Sequence, residues 1–173
     1  MPKDLFDELV SQCWIDLVGG VLSVDDTVLE KPYAQRKATA LLGYFWSSKA
    51  ATPVLGLSLV TLYYTSVNGL RVPINYRLYD KTEGKTKNQY FQEMWQEVRQ
   101  WGLRPRAVTS DTWYAAKANL NVLKNDQTGF LVGVAKNRRV RLTPHQAYQR
   151  VDTLEIPESG LLVYLQGVGR VNV

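Results

Sequence analysis

The stretch PVLGLSLVTLYYTSVNGLRVPINYRLYDK (53–81) decides the fold class, because it contains the clearest secondary-structure signal in the chain. Two runs rich in β-branched and aromatic residues, 54–65 and 70–79, flank Asn68-Gly69. An Asn-Gly pair between such runs is the strongest short signal for a β-hairpin. Pro73 lacks a backbone N–H, so the second strand is predicted to be an edge strand or to carry a bulge.

The residues after the hairpin alternate between helix and strand. Residues 89–101 place large apolar side chains on one helical face, 106–110 read as a short strand, and 113–124 read as a second helix. Beyond about residue 124 we predict only short β segments, broken by Gly, Pro and Asn. A hairpin followed by alternating helices and strands implies an α/β fold, with a mixed sheet and helices on its faces.

The residues before the hairpin predict a helix and a short strand. Residues 3–18 form an amphipathic pattern that ends at Gly19-Gly20, with Cys13 on the apolar face as a core residue. Residues 21–24 read as a strand that leads directly into Asp25-Asp26-Thr27. Residues 33–49 fit either a helix or an ordered loop.

The composition limits the chemistry that this chain can carry. Its 173 residues suit one domain, or one domain plus a fragment of another. A single Cys and a single His exclude an internal disulfide and a Cys- or His-rich metal site, so a metal would need oxygen ligands. The sequence shows neither an apolar stretch long enough to span a membrane nor a signal peptide, and we therefore expect a soluble cytoplasmic protein.

The charge is unevenly distributed along the chain. The net charge is +5, but residues 1–30 hold one base and seven acids, whereas 104–150 hold nine bases and two acids. A basic field of this kind attracts polyanions such as a phosphate backbone, although a solvated basic surface is equally consistent with it. The candidate phosphate contacts are Lys31, Lys136, Arg138, Arg139 and Arg141, of which 139 and 141 would share one face of a strand.

Carboxylates follow two of the predicted strands. Asp25-Asp26 comes after the first strand, and Asp111 comes after the strand that follows the hairpin. Because α/β sheets form sites at the carboxyl ends of their strands, Asp25 and Asp111 would reach one ion if the two strands are neighbours. The alternative is a structural role, since Asp is common at strand ends and Asp111 fits a helix N-cap. Trp113, next to Asp111, is interpreted as a packing residue, with base stacking as the alternative.

These segments resemble the DDE transposases of bacterial insertion sequences, within the ribonuclease-H-like and retroviral-integrase superfamily. The resemblance runs from about residue 20 to the end. The segments that match the family are VLSVDDTVLEKP (21–32), the hairpin segment 53–81, KNQYFQEMWQEVRQWGLRPRAVTSDTWYA (87–115) and GFLVGVAKNRRVRL (129–142). The strand–Asp-x-Thr element matches the first catalytic carboxylate, which implies Asp25, or Asp26 if the register shifts by one. The Ser-Asp-x-Trp-Tyr element matches the second carboxylate, which implies Asp111.

The resemblance implies a fold, a domain division and an activity. The fold would be a ribonuclease-H-like mixed sheet with flanking helices (21–125), preceded by an N-terminal helix (1–20) and followed by an incomplete β-rich insertion (126–173). The activity would be metal-dependent cleavage and strand transfer at insertion-sequence ends. Asp25 and Asp111 would hold Mg²⁺ or Mn²⁺, and the partners would be transposon-end and target DNA.

One element of the family pattern is missing from the sequence. The family carries a third carboxylate, a Glu, on a helix after the insertion, whereas Glu155 and Glu158 lie in a turn context and match no such helix. We therefore expect a transposase fragment with little activity alone, which acts as a homodimer or with a companion chain that supplies the Glu. The alternative is a non-catalytic DNA-binding or partner-binding protein that modulates a full-length transposase.

Overall fold

The computed structural model describes residues 2–173, which form three α-helices and ten β-strands. The helices are α1 (Pro2–Ser11), α2 (Lys87–Gln100) and α3 (Lys117–Asn125). The strands are β1 (Val21–Glu30), β2 (Gly43–Ser47), β3 (Thr52–Thr65), β4 (Arg71–Leu78), β5 (Ala107–Ser110), β6 (Gly129–Val132), β7 (Arg139–Arg141), β8 (Gln149–Arg150), β9 (Leu162–Leu165) and β10 (Gly169–Asn172). None of the helices within residues 2–173 has the length and apolar character that crossing a bilayer requires.

The first sheet contains six strands and is mixed. β1 lies at its centre, antiparallel to β3 on one side and parallel to β5 on the other, and β6 continues the parallel side. β2 and β4 pair with successive parts of the same edge of β3. The order β4-β3-β1-β5-β6, with α2 before β5 and α3 before β6, is the ribonuclease-H-like arrangement and confirms the predicted fold class.

The hairpin that decides the fold forms as the sequence predicts. β3 and β4 pair antiparallel around Asn68-Gly69, where Gly69 adopts a φ of 89° and Asn68 Oδ1 accepts a hydrogen bond from the backbone N–H of Leu70. β4 pairs only with β3, and the register shifts between Leu62 and Tyr63, next to the Tyr63–Pro73 pair. The predictions of an edge strand and of a bulge at Pro73 are both confirmed.

All three helices pack on one face of this sheet. Alternation along β1 and β3 directs their buried side chains toward α2, which supplies the other half of the core. The buried core residues are Leu22, Val24, Val60, Leu62 and Tyr64 from the sheet, and Phe91, Met94, Trp95 and Val98 from α2. The opposite face of the sheet carries residues that stay exposed, among them Leu29, Tyr63, Tyr76 and Leu131. The sheet therefore has one covered and one open face.

A second, four-stranded antiparallel sheet follows in the order β10-β9-β7-β8. Its small core contains Val140, Val163 and Leu165 and contacts Leu120 of α3. The sequence-based boundary at residue 126 lies before β6, whereas β6 is the parallel edge of the first sheet. The second sheet therefore begins after β6, not before it.

Three sequence predictions about element ends are wrong. α1 ends at Ser11 instead of continuing to residue 18, because Cys13 adopts a left-handed backbone conformation (φ 54°) and its side chain is exposed. α3 begins at Lys117, after a turn that follows Asp111. β1 extends to Glu30, because it pairs with β3 as far as Glu30 but with β5 only as far as Val24. Asp25 and Asp26 therefore lie inside a strand.

Candidate active site

The pairing of β1 with β5 brings the two predicted carboxylates to neighbouring positions. Leu22 pairs with Val108 and Val24 with Ser110, so the next step of the same parallel register sets Asp25 beside Asp111. Both residues line one open cleft of about 820 Å³. Asp25 lies on the opposite face of β1 from the buried Val24, at the border between the cleft and the open face of the sheet.

The cleft holds more acidic than basic side chains. The acids that line it are Asp25, Asp26, Glu30 and Asp111, and the bases are Lys49 and Lys87. Carboxylates gathered in this way repel one another unless a cation offsets them, and carboxylate oxygens are the ligands that Mg²⁺ and Mn²⁺ prefer. The donor set therefore fits the predicted metal. Within residues 2–173, no three His, Cys, Asp or Glu side chains converge into a fuller metal cluster.

Asp26 differs from Asp25 because protein groups already occupy both of its oxygens. Its Oδ1 accepts a hydrogen bond of 3.0 Å from the Tyr114 hydroxyl, and its Oδ2 pairs with the Lys87 ammonium. Burial of the Tyr114 ring, followed by the charges of Asp26, Asp25 and Asp111, raises the pKa of its phenol far above the ordinary value. The phenol therefore keeps its proton and donates a hydrogen bond to Asp26.

Asp25 and Asp111 each use only one carboxylate oxygen in hydrogen bonds among the described residues. Asp25 Oδ1 accepts a hydrogen bond of 2.8 Å from the backbone N–H of Asp26. Asp111 Oδ1 accepts one of 2.9 Å from the N–H of Trp113 and a longer one of 3.4 Å from Tyr114. Asp111 thus caps a turn, while the N-cap of α3 is Ala116. One oxygen of each carboxylate remains available to a ligand.

Sequence reasoning missed several residues of the cleft. The prediction that Trp113 packs in the interior is wrong, because its side chain is 63% exposed and lines the cleft. Tyr44 and Trp46 of β2 line the same cleft. The Ser-Asp-x-Trp-Tyr element could have indicated Tyr114, since the tyrosine belongs to it. Lys87 offered no signal, because it reaches Asp26 only through the packing of α2 against the sheet.

The predicted phosphate contacts lie away from the carboxylates. Lys31 directly follows β1 and is exposed, and it is absent from the residues that line the cleft. Arg138 and Arg139 line a separate open pocket of about 420 Å³ together with Lys117 of α3. Lys136 is exposed near the second sheet.

Arg141 lies on β7, where the sequence predicted a strand. Its guanidinium lies 4.9 Å from the ring centre of Tyr148 and 5.8 Å from that of Tyr164. Residues 139 and 141 share a face of β7 because the intervening Val140 is fully buried. The basic residues of 136–141 therefore form a surface beside the second sheet, separate from the carboxylate cleft.

Comparison with known proteins identifies no family for this chain. No protein-family model and no curated protein matches it. Among solved structures, it is similar to a piggyBac transposase in a cryo-EM synaptic complex with hairpin DNA, with 18% sequence identity and a TM-score of 0.48. The similarity covers 79% of this chain and 27% of the transposase chain, so this chain spans well under half of that protein. The fold assignment therefore rests on the strand order itself.

Proposed function

We propose that this chain carries the ribonuclease-H-like core of a DDE transposase of the insertion-sequence type, which cleaves and joins DNA strands with the help of Mg²⁺ or Mn²⁺. The observation that carries this proposal is the register that sets Asp25 beside Asp111, directly after the parallel pairing of β1 with β5 ends. A pair of acids at this position of such a sheet suits phosphoryl transfer.

Asp25 and Asp111 are the residues that would hold the metal. Within residues 2–173, each has an oxygen that no protein group engages, whereas both oxygens of Asp26 are occupied by Tyr114 and Lys87. We therefore choose Asp25 over Asp26 as the first carboxylate, and assign Asp26 the role of linking the middle of β1 to Lys87 and Tyr114. A divalent ion at such a site stabilises the charge that develops at phosphorus during in-line displacement.

The DNA would be held by contacts outside the carboxylate pair. Arg138, Arg139 and Lys117 line one pocket without an acidic neighbour in it, which suits a phosphate group. Lys136 and Arg141 extend the same basic surface, and Lys31 stands beside the end of β1. These residues position the backbone and carry no base specificity. Transposon-end and target DNA are the proposed partners.

A second candidate function is a non-catalytic DNA-binding or partner-binding protein. The observation that favours it is that protein groups already engage two of the acidic side chains. Lys87 neutralises Asp26, and the turn after β5 uses one oxygen of Asp111. No third acid completes the cluster within the described residues, 2–173. We therefore expect little cleavage by the chain alone, whether monomer or homodimer, and full activity only when a companion chain adds the third carboxylate.

Calorimetric titration of Mn²⁺ into the purified chain tests the metal site without requiring activity. We expect Asp25→Asn and Asp111→Asn each to weaken Mn²⁺ binding at least tenfold, since each removes one of only two charged ligands. Asp26→Asn is expected to weaken binding by less than tenfold, because it removes a nearby negative charge and leaves Lys87 unpaired but removes no proposed ligand.

Glu30→Gln is the matched control for charge. Glu30 lines the same cleft, but its carboxylate accepts a hydrogen bond of 3.1 Å from Ser47 and lies five residues beyond Asp25 on the strand. A general loss of negative charge would weaken Mn²⁺ binding equally in Glu30→Gln and Asp111→Asn. That result, or wild-type binding that none of the variants changes, would reject the two-carboxylate site and favour the non-catalytic function.

A further inference from the structure

The carboxylate cleft has aromatic walls that the proposed metal chemistry does not use. Tyr44 and Trp46 of β2 and Trp113 of the turn after β5 all line it. Trp46 and Trp113 are each 63% exposed. Within residues 2–173, neither indole ring contacts another ring or a cation, and neither indole N–H has a hydrogen-bond partner. Large apolar rings displayed beside a polar site mark a place where a ligand binds.

The local structure leaves the two rings of β2 exposed where they border the cleft. Along β2, Phe45 and Ser47 are buried, so alternation directs Tyr44 and Trp46 to the other, open side of the strand. Two same-side residues of a strand lie about 6.8 Å apart. That is about twice the 3.4 Å rise between stacked bases, the width that one base occupies between two rings.

The backbone of Trp113 is fixed beside Asp111. Its backbone N–H donates a hydrogen bond of 2.9 Å to Asp111, the second proposed metal ligand. The exposed indole therefore stands two residues from the carboxylate that would act on phosphorus. A nucleotide whose phosphate reaches Asp111 would bring its base within the range of this ring.

Cations accompany the aromatic rings. The Arg36 guanidinium lies 5.7 Å from the ring centre of Tyr44, and Lys49 lines the cleft itself. Aromatic faces combined with nearby cations form the stacking platforms that bind single-stranded nucleic acid, since the rings take the bases and the cations take the backbone. Duplex DNA hides the faces of its bases, so only unpaired or extruded bases could use the rings of this cleft.

We propose that Trp46 and Trp113 stack on unpaired bases of a DNA strand, so that the cleft binds single-stranded or locally opened DNA in preference to intact duplex. This inference rests on the proposed function, because it assigns the substrate form to the same cleft. The rings select unpaired bases, while Asp25 and Asp111 remain the groups that would act on the backbone.

Fluorescence anisotropy with three labelled probes tests this inference in EDTA, so that the result is independent of any bound metal. The probes are an oligothymidylate of about 12 nucleotides, within the site size of single-strand binding folds, an abasic strand of the same length and charge, and a blunt duplex. We expect wild type to bind the oligothymidylate about tenfold or more tightly than the abasic strand. Trp46→Ala and Trp113→Ala should each weaken oligothymidylate binding about tenfold and leave abasic binding unchanged.

Matched variants separate stacking from other effects of losing a tryptophan. Trp14→Ala removes an indole that is 56% exposed but does not line the cleft, and should change nothing. Trp113→Phe keeps an aromatic face and should restore most of the affinity that Trp113→Leu loses. Thermal unfolding of each variant should match wild type, because exposed side chains contribute little to the core.

Several outcomes would overturn the inference. Equal wild-type affinity for the thymidylate and abasic strands would show that bases are not bound. An equal loss for both strands in Trp46→Ala and Trp113→Ala would indicate an effect on charge or folding. A change in self-association without a change in DNA binding would assign the rings to a protein interface. The Mn²⁺ titration is scored separately, so loss of stacking with an intact metal site would reject this inference alone.

Discussion

The Tyr114 hydroxyl donates a hydrogen bond to Asp26 Oδ1 across 88 residues of sequence, and so ties the turn after β5 to the middle of β1. The tyrosine is almost completely buried and its ring contacts Phe91 of α2 with an edge-on geometry. Lys87, at the start of α2, pairs with the other oxygen of the same carboxylate. One carboxylate therefore connects three elements that surround the candidate active site.

Tyr114→Phe should lower the free energy of unfolding by about 1.5–2 kcal/mol, the size expected for a hydrogen bond to a charged group. The phenylalanine ring keeps the contact with Phe91, so the loss would report the hydroxyl alone. Urea unfolding measures it, and Tyr33→Phe, at a fully exposed residue, is the control. In a double-mutant cycle with Asp26→Asn, a coupling near zero would contradict the proposed link.

The ion pairs of Glu93 predict a pH dependence of stability. The Lys85 ammonium at 2.7 Å, and then the Arg77 guanidinium at 2.6 Å, lower the pKa of the Glu93 carboxyl below its ordinary value. A carboxyl whose pKa is lower in the folded state stabilises the fold above its unfolded pKa of about 4.3, and that contribution disappears as the pH falls through the folded value.

Glu93→Gln should therefore cost stability at neutral pH and cost almost nothing in acid. Because the side chain is about one-third exposed, solvent screening limits the loss to about 0.5–1 kcal/mol. Urea unfolding near pH 7 and near pH 3 measures the difference, with Glu155→Gln as the control at an exposed residue. A loss of equal size at both pH values would show that packing, not charge, is what the substitution removes.

The end of α1 provides a substitution that should stabilise the protein. The N–H of Trp14 bonds to the carbonyl of Leu9, and that of Cys13 to the carbonyl of Val10, which is the Schellman pattern with Cys13 at the left-handed position. This position favours glycine, because a side chain there carries steric strain.

Cys13→Gly should raise the free energy of unfolding by about 0.5–1 kcal/mol, since relief of strain exceeds the added freedom of the unfolded chain. Cys13→Ala keeps the strain and removes only the thiol, so it is the matched control and should leave stability unchanged. Thermal or urea unfolding of the two variants measures both effects. Equal stability of the glycine and alanine variants would contradict the account.

The predictable parts of this fold are those whose signals are local. The Asn68-Gly69 turn and the apolar periodicity of 89–101 identify the hairpin and α2, and the Thr86–Gln89 capping box adds a clear start to the helix. The pattern of 3–18 misled because Cys13, Trp14 and Leu17 continue the helical period in sequence only. Leu17 packs against the core from an irregular segment that follows the left-handed Cys13, whereas Cys13 and Trp14 are exposed.

For the candidate site, too, the sequence pattern predicts the residues but not their long-range contacts. The strand–Asp pattern predicts Asp25 and Asp111 as candidate ligands, and their neighbouring positions follow from the parallel pairing of β1 with β5. It could not separate Asp25 from Asp26, because that choice depends on Lys87 and Tyr114, which long-range packing brings to β1. Exposure of Trp113 was likewise not predictable, since sequence alone does not show that the turn after β5 faces an open cleft.

Lys87 gives the last prediction, because its positive charge shares the cleft with the proposed metal ligands. Its ammonium is mostly buried beside Asp26 and faces the rings of Phe45 and Tyr79 at 5.9 and 5.7 Å. A fixed cation in the cleft repels a divalent ion, by about 1 kcal/mol at short range even in a water-like dielectric. Lys87→Gln should therefore bind Mn²⁺ about threefold to tenfold more tightly than wild type in a calorimetric titration. Lys31→Gln removes the same charge outside the residues that line the cleft and should have little effect. Weaker Mn²⁺ binding by Lys87→Gln would instead mean that the Lys87–Asp26 pair is needed to hold Asp25 and Asp111 in place.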